Sequence, residues 1–206
     1  NKNKEITELE NLYKSKITFI FDHQSSLHEP SVEIQRKISN IDKKNNIVKK
    51  NKPIVFLDST FPYFTDDETL LFKQKREIDV VKWYKEHNEF FDKLENFFST
   101  KVIVVSHPKT KGVKNPFLKK RFIDHRIDAT LKLTSSSLFF LCGMYVSTAI
   151  SFPISAYKPI FFLYSDQMKL HYERQVIVEK EAAKLIGSGL LDINNFTKND
   201  ILKNMK

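Results

Sequence analysis

The sequence predicts an α/β fold, a Rossmann-like parallel sheet with helices on both faces, and three observations carry that expectation. The first is a strand, helix, strand succession: Ile54-Val55-Phe56-Leu57, an amphipathic stretch over 79–98, then Val102-Ile103-Val104-Val105. The second is that three apolar runs between Lys101 and Asp166 are each followed by a polar segment able to hold a ligand. The third is a nearly uncharged stretch over 138–157, as expected of strands covered on both faces.

The N-terminal 52 residues differ from the rest. They contain a charged helix candidate over 5–15, a strand candidate over 16–21 and a second helix candidate over 31–41, set in a polar background. They read as an appendage or linker, and the Rossmann-like domain is expected over 53–206. Pro53 opens the buried-strand signature 54–57, which ends at Asp58-Ser59-Thr60. Val80, Val81, Tyr84, Phe90, Phe91, Leu94, Phe97 and Phe98 then recur at mostly helical spacing. A helix joining strands 54–57 and 102–105 makes the two strands parallel.

A loop rich in Lys and Pro is expected over 109–120, a short strand or helix within 121–133, and apolar strands over 137–145 and 159–164. One helix is expected over 167–186, with Gly187 and Gly189 as its stop, followed by a helix candidate in the polar tail. The stretch 138–157 is about as long as a membrane span, but Gly143, Pro153 and several Ser and Thr residues favour strand, polar turn, short helix, then strand.

Composition narrows the function classes. Thirty-four Lys and Arg against 25 Asp and Glu give a net charge of +9, which favours phosphates, nucleic acid or an anionic membrane surface. The basic residues are scattered and are not interleaved with aromatics on one face, which argues against a nucleic-acid partner. Cys142 is the only cysteine and lies in an apolar run, so it reads as a buried small hydrophobe of a reducing compartment. His23, His28, His87, His125 and His171 show no metal-ligand spacing, so neither a metal nor a cofactor is expected. With four glycines there is no GxGxxG or Walker loop, and Ser135-Ser136-Ser137 lacks the turn of a hydrolase nucleophile. The N-terminus has neither an initiating Met nor an apolar signal core, which predicts a processed, trimmed or excerpted chain.

Ligands of an open parallel sheet lie outside the carboxyl ends of its strands. His107-Pro108 follows four β-branched residues, so an imidazole suited to a phosphate contact or to acid-base work is delivered to a strand end, where Pro stops the strand. Ser147-Thr148-Ala149-Ile150-Ser151 lies between two apolar runs, where hydroxyls cap a helix and its amides face a phosphate. Asp58 ends the first strand and can hold a ribose or an acceptor hydroxyl. Lys109, Lys111, Lys119, Lys120 and Arg121 are candidate phosphate cations, with Arg121 the strongest of them. One ligand bridges His107 and Ser147 only if they stand within ~15 Å.

The order of Asp58, His107-Pro108, Pro116-Phe117, Arg121, Thr130-Leu131, Ser147-Thr148-Ala149-Ile150-Ser151-Phe152 and Lys158-Pro159-Ile160 resembles the C-terminal, donor-binding half of GT-B-type glycosyltransferases of bacterial surface polysaccharide synthesis. The HP and Ser-containing pair is similar to the HP and S motifs of bacterial sialyltransferases and Kdo transferases. The resemblance spans roughly 53–189 and implies a metal-independent enzyme that uses a nucleotide-activated, CMP-linked sugar, with capsule or lipopolysaccharide as the product class. By that match His107 and Ser147 contact the nucleotide and its phosphate; Pro108, Lys109, Arg121, Thr148 and Ser151 are the further nucleotide- and phosphate-binding candidates, and Asp58 is a second catalytic candidate. It also implies a cytoplasmic location at the inner membrane face, peripheral contact with anionic lipid and a saccharide or lipid-linked acceptor. Val146 departs from the pattern, standing where a second Ser often appears, and residues 1–52 would be a remnant of the acceptor domain that usually carries the base. Asp22, Asp66 and Asp67 are acidic candidates for that base. Three alternatives stay open: a UDP-sugar donor, a CDP-glycerol-type glycerophosphotransferase, and a non-catalytic nucleotide-binding half-domain completed by a partner domain or a second copy. Phe61, Tyr63 and Phe64 are expected to pack in the core or loop rather than against an acceptor.

Overall fold

The computed structural model describes residues 52–59, 61–62, 78–110, 116–126, 128–143 and 148–205. The candidates at 1–51, the acids Asp66 and Asp67, and Tyr63 and Phe64 lie outside them. The described elements are β1 (Ile54–Leu57), α1 (Val80–Phe98), β2 (Val102–Val105), β3 (Phe122–Asp124), α2 (Ala129–Thr134), β4 (Phe140–Cys142), α3 (Ser151–Ser155), β5 (Ile160–Tyr164), α4 (Asp166–His171), α5 (Glu173–Leu185), β6 (Gly189–Asp192) and α6 (Lys198–Lys203).

The six strands form one sheet in the order β3-β2-β1-β4-β5-β6, and every neighbouring pair is parallel. Alternation along each strand sends side chains to two cores. Ile54 and Phe56 face one core with Phe91 of α1, Met168 of α4 and Ile201 of α6; Val55 and Leu57 face the other with Ala129 of α2 and Ala182 and Ala183 of α5. Both faces are therefore covered, which is why β1 and β4 are buried at every position.

Helix α1 starts where the Asp79 carboxylate accepts the Lys82 amide at 3.0 Å, and it stops at Ser99, whose φ of 49° is left-handed. Its buried stripe, Trp83, Tyr84, His87, Phe90, Phe91 and Leu94, repeats at helical spacing and packs on the sheet. Phe61 joins this core, its ring centroid 4.8 Å from that of Trp83 and 5.3 Å from that of Tyr172, in agreement with the packing role expected for it.

Two expectations change. The single helix over 167–186 is two helices, α4 and α5, parted at Tyr172. Before the break Met168 and Tyr172 pack in the first core, and after it α5 runs from Val176, against that core, to Ala182 and Ala183 in the second. The Gly187-to-Gly189 stop is also the entry to a strand, β6. Gly187 takes φ 65°, and a Cβ on Gly189 would lie 2.5 Å from Cδ1 of the buried Phe161 ring, so only glycine brings β6 this close to β5. Strand β4 is shorter than the apolar run 137–145 and gives way at Gly143. Among the described residues, no helix is long and apolar enough to cross a membrane.

Candidate functional site

The strand order reverses direction between β1 and β4. From β1 the chain moves to α1 on the first face and returns as β2; from β4 it moves to α3 on the second face and returns as β5. The connections leaving β1 and β4 part to opposite sides, and the crevice between them is where a doubly wound sheet holds a ligand. Register sets what stands there. Leu57 is level with Val105 and with Cys142, so Asp58, Ser106 and Gly143 follow in one row across β1, β2 and β4. Neighbouring strands lie about 4.8 Å apart, so the ends of β2 and β4 are separated by roughly 10 Å, within the reach of one nucleotide.

The centre of the row is Asp58, buried, whose amide donates to the Val105 carbonyl at 2.9 Å. Beside it Ser59 accepts the Phe61 amide at 3.2 Å, which folds the chain away from the crevice. On β2, the Ser106 hydroxyl lies 2.7 Å from that of Thr110, and Thr110 donates its own proton to the His107 carbonyl, also at 2.7 Å. A hydroxyl has one proton, so Ser106 is the donor to Thr110. The Thr110 amide adds a bond to the same carbonyl at 2.9 Å. Pro108–Thr110 thus forms a single 3-10 turn that fixes the backbone of His107, a half-buried residue at the strand end, with Pro108 exposed as its first residue.

On the β4 side the expected helix start is a 3-10 turn, Thr148–Ile150, running directly into α3. Ile150 occupies the cap position of α3 and no side chain caps it, so Ser151 is the first residue of that helix and not its cap. Ser147, and the side chains of Thr148 and Lys109, lie outside the described structure, as does Lys111. Among the described residues, Asp58 and His107 therefore follow two adjacent strands, β1 and β2, with Gly143 at the end of β4 beside them.

Arg121 does not join them. It precedes β3, at the amino ends of the strands, and its side chain is 2% exposed. Its guanidinium donates to Asp92 at 2.6 Å and to the Asn88 carbonyl at 3.2 Å, lies 3.9 Å from Glu95 and stacks 5.5 Å from the Phe91 ring centre. Lys120 pairs with the same Asp92 at 3.1 Å. Burial works against the charge of Asp92, but the hydrogen bonds and charges of Arg121 and Lys120 outweigh it and hold the carboxyl below its usual range. Arg121 is a rivet between the entry to β3 and α1. Arg121→Met is expected to lower stability by about 2 kcal/mol, less than a fully buried pair because Asp92 stays half-exposed, and to leave the crevice unchanged. Denaturant unfolding followed by ligand titration of the folded variant checks both halves of that statement.

A different arginine stands at the carboxyl edge, and the sequence spacing gives no signal for it. Asp124 ends β3 with its side chain 3% exposed, and it accepts from Arg126 Nε at 2.8 and 2.9 Å, from Arg126 Nη2, and from the Arg126 amide at 3.0 Å. Those bonds hold the Asp124 carboxyl below its usual range against the opposing effect of burial. Cys142, by contrast, is inert: burial and the nearby Glu179 carboxylate push its thiol pKa far up, opposite to what a nucleophile needs. Comparison of the chain with models of known protein families, with curated proteins and with solved structures finds no match.

Proposed function

We propose that this chain is the donor-binding domain of a glycosyltransferase that moves a sugar from a nucleotide-activated, CMP-linked donor to a saccharide or lipid-linked acceptor. One observation carries the reading: Asp58 and His107 follow the carboxyl ends of two adjacent strands, β1 and β2, with Gly143 closing β4 in the same row, at the point where the strand order reverses. A nucleotide laid across that crevice has its phosphate beside His107 and the turn that begins at Thr148.

In the transfer, the bond between the anomeric carbon and the phosphate oxygen breaks with its electron pair going to the phosphate. An acceptor hydroxyl forms the new bond and gives its proton to a carboxylate, the role open to Asp58. His107, its backbone fixed by Thr110, supplies a hydrogen bond or a proton to the departing phosphate oxygen, and Asp58 accepts a hydrogen bond from a ribose or acceptor hydroxyl. The net charge of +9 suits both an anionic donor and work beside an anionic lipid surface.

Thermal unfolding in the presence of CMP, CDP, UDP and GDP tests the proposal. A ligand at ~100 times its dissociation constant adds about 2.7 kcal/mol of stability. The expected result is a shift selective for cytidine nucleotides that is lost in His107→Ala. A shift with CDP alone would favour a glycerophosphotransferase, and the absence of a shift with every nucleotide would overturn the reading.

A further inference from the structure

We infer that Arg126 is the cation that grips the phosphate at this site and that Asp124 is the residue that positions it; the ligand is the phosphate of a nucleoside mono- or diphosphate, so the inference rests on the donor-binding reading above. Its basis is the pairing of β3 with β2. Val105 is level with Asp124, and the Ser106 amide donates to the Asp124 carbonyl at 3.0 Å. Ser106-His107 and His125-Arg126 therefore leave the sheet side by side, on neighbouring strands about 4.8 Å apart. Arg126 comes to the edge that holds His107, whereas Arg121, five residues earlier, is at the other end of the same strand.

The guanidinium is set before any ligand arrives. Nε and Nη2 bond the Asp124 carboxylate, and the Arg126 amide bonds it too, so a buried acid fixes both the backbone and the plane of the fork. A guanidinium has five N–H donors. Two face Asp124, which leaves three, both on Nη1 and one on Nη2, on a side chain that is 58% exposed. A fixed planar fork with free edges loses little entropy when it takes the oxygens of a phosphate. Asp124 also cancels much of the long-range charge of Arg126, so the pair acts through short, directed hydrogen bonds and not through steering. That distinction separates lysine from arginine at this position: a lysine keeps the charge and lacks the fork.

Isothermal titration of the full chain with CMP, CDP, UDP, GDP, cytidine and inorganic pyrophosphate tests the inference. Arg126→Lys and Arg126→Gln are both expected to weaken the bound nucleotide by about tenfold or more, with the affinity for cytidine, which has no phosphate, unchanged. Asp124→Asn is expected to lower the ratio of nucleotide to cytidine affinity in the same direction, a change that a merely structural pin would not produce. The double variant Asp124→Asn/Arg126→Gln removes the buried acid together with its partner, so binding is read on a folded chain. If His107→Ala abolishes nucleotide binding while both Arg126 variants bind like the parent, the inference fails and the donor-binding reading stands. If pyrophosphate binds and depends on Arg126 but no nucleotide binds better than pyrophosphate, the phosphate grip is upheld and the nucleotide reading fails. If neither nucleotide nor pyrophosphate binds the parent chain, both are overturned.

Discussion

Phe56→Ala is expected to destabilise the chain by about 4 kcal/mol, near the middle of the range for a large core aromatic. Phe56 sits in the central strand β1, 2% exposed, and its ring touches three elements that approach from different directions. Its centroid is 5.0 Å from that of Phe91 on α1, 6.0 Å from that of Phe117 in the turn before β3, and 6.1 Å from that of His87. On its far side, a Cβ at Gly143 would come within 3.2 Å of its Cζ, so the ring also supports the point where β4 ends and the crevice begins. Truncation leaves a cavity that four such rigid neighbours cannot collapse to fill. Denaturant unfolding reads the loss directly, and Phe56→Leu, which keeps most of the volume, should cost less than about 1.5 kcal/mol. The same cavity loosens Gly143, so Phe56→Ala should also weaken nucleotide binding where the variant is still folded. A loss below about 1 kcal/mol for the alanine variant would refute this account of the core.

The parts of the fold that were legible in the sequence are those with a strong local period. Strand β1, helix α1, strand β2 and strand β5 lie where β-branched runs and the aromatic stripe of 80–98 predict them, and parallel pairing follows from the length of the crossover. Strand β6 was not legible. Gly189-Leu190-Leu191-Asp192 has too few apolar residues to show a period, and its place is set by Phe161 against Gly189, a contact between residues far apart in sequence. The break at Tyr172 is of the same kind, since Tyr172 packs on Phe61, far away in sequence.

The strand-end positions of Asp58 and His107 were legible because one directly follows, and the other follows after Ser106, a run that could only be a buried strand. Arginine was harder. Between Arg121 and Arg126 lies β3, three residues long, and whether Phe122-Ile123-Asp124 is strand or helix decides which arginine faces the crevice. That segment has no period to read. The charge of Arg121 is equally unreadable as a ligand contact or a rivet until Asp92 and Glu95 of α1 are placed beside it.

The stability of the chain is expected to fall by about 3 kcal/mol as the pH is lowered from about 6.5 to about 4, and His87 is the cause. His87 is 1% exposed, its ring centroid 3.9 Å from that of Trp83 at a tilt of 41°, and it is bordered by Phe56, Phe91 and Phe117. Nδ1 lies 2.9 Å from the Trp83 carbonyl and so carries the proton, while Nε2 is buried without a hydrogen-bond partner. A charged ring has no acceptor on that side, and burial lowers the pKa from 6.5 to about 4, only partly opposed by the Trp83 carbonyl. In the unfolded chain the same imidazole takes up a proton below about 6.5. Between these two values the unfolded state binds more protons than the folded state, so stability declines as pH falls through 6.5 and levels off below about 4. The limiting slope is about 1.4 kcal/mol per pH unit. Asp92 and Asp124 are held below their usual range, so the losses they cause set in only from about pH 5 downward, as carboxyls of the unfolded chain take up protons, and the window above about pH 5 is left to His87. His87→Leu removes the titrating group and keeps an apolar side chain among the aromatics, so its stability should stay nearly level between about pH 6.5 and 5. Trp83, the one tryptophan of the chain, packs on His87 and reports the unfolding by fluorescence. Parallel pH profiles for the parent and His87→Leu would show that the acid sensitivity arises elsewhere, and would mean that the ring finds a proton acceptor inside the core.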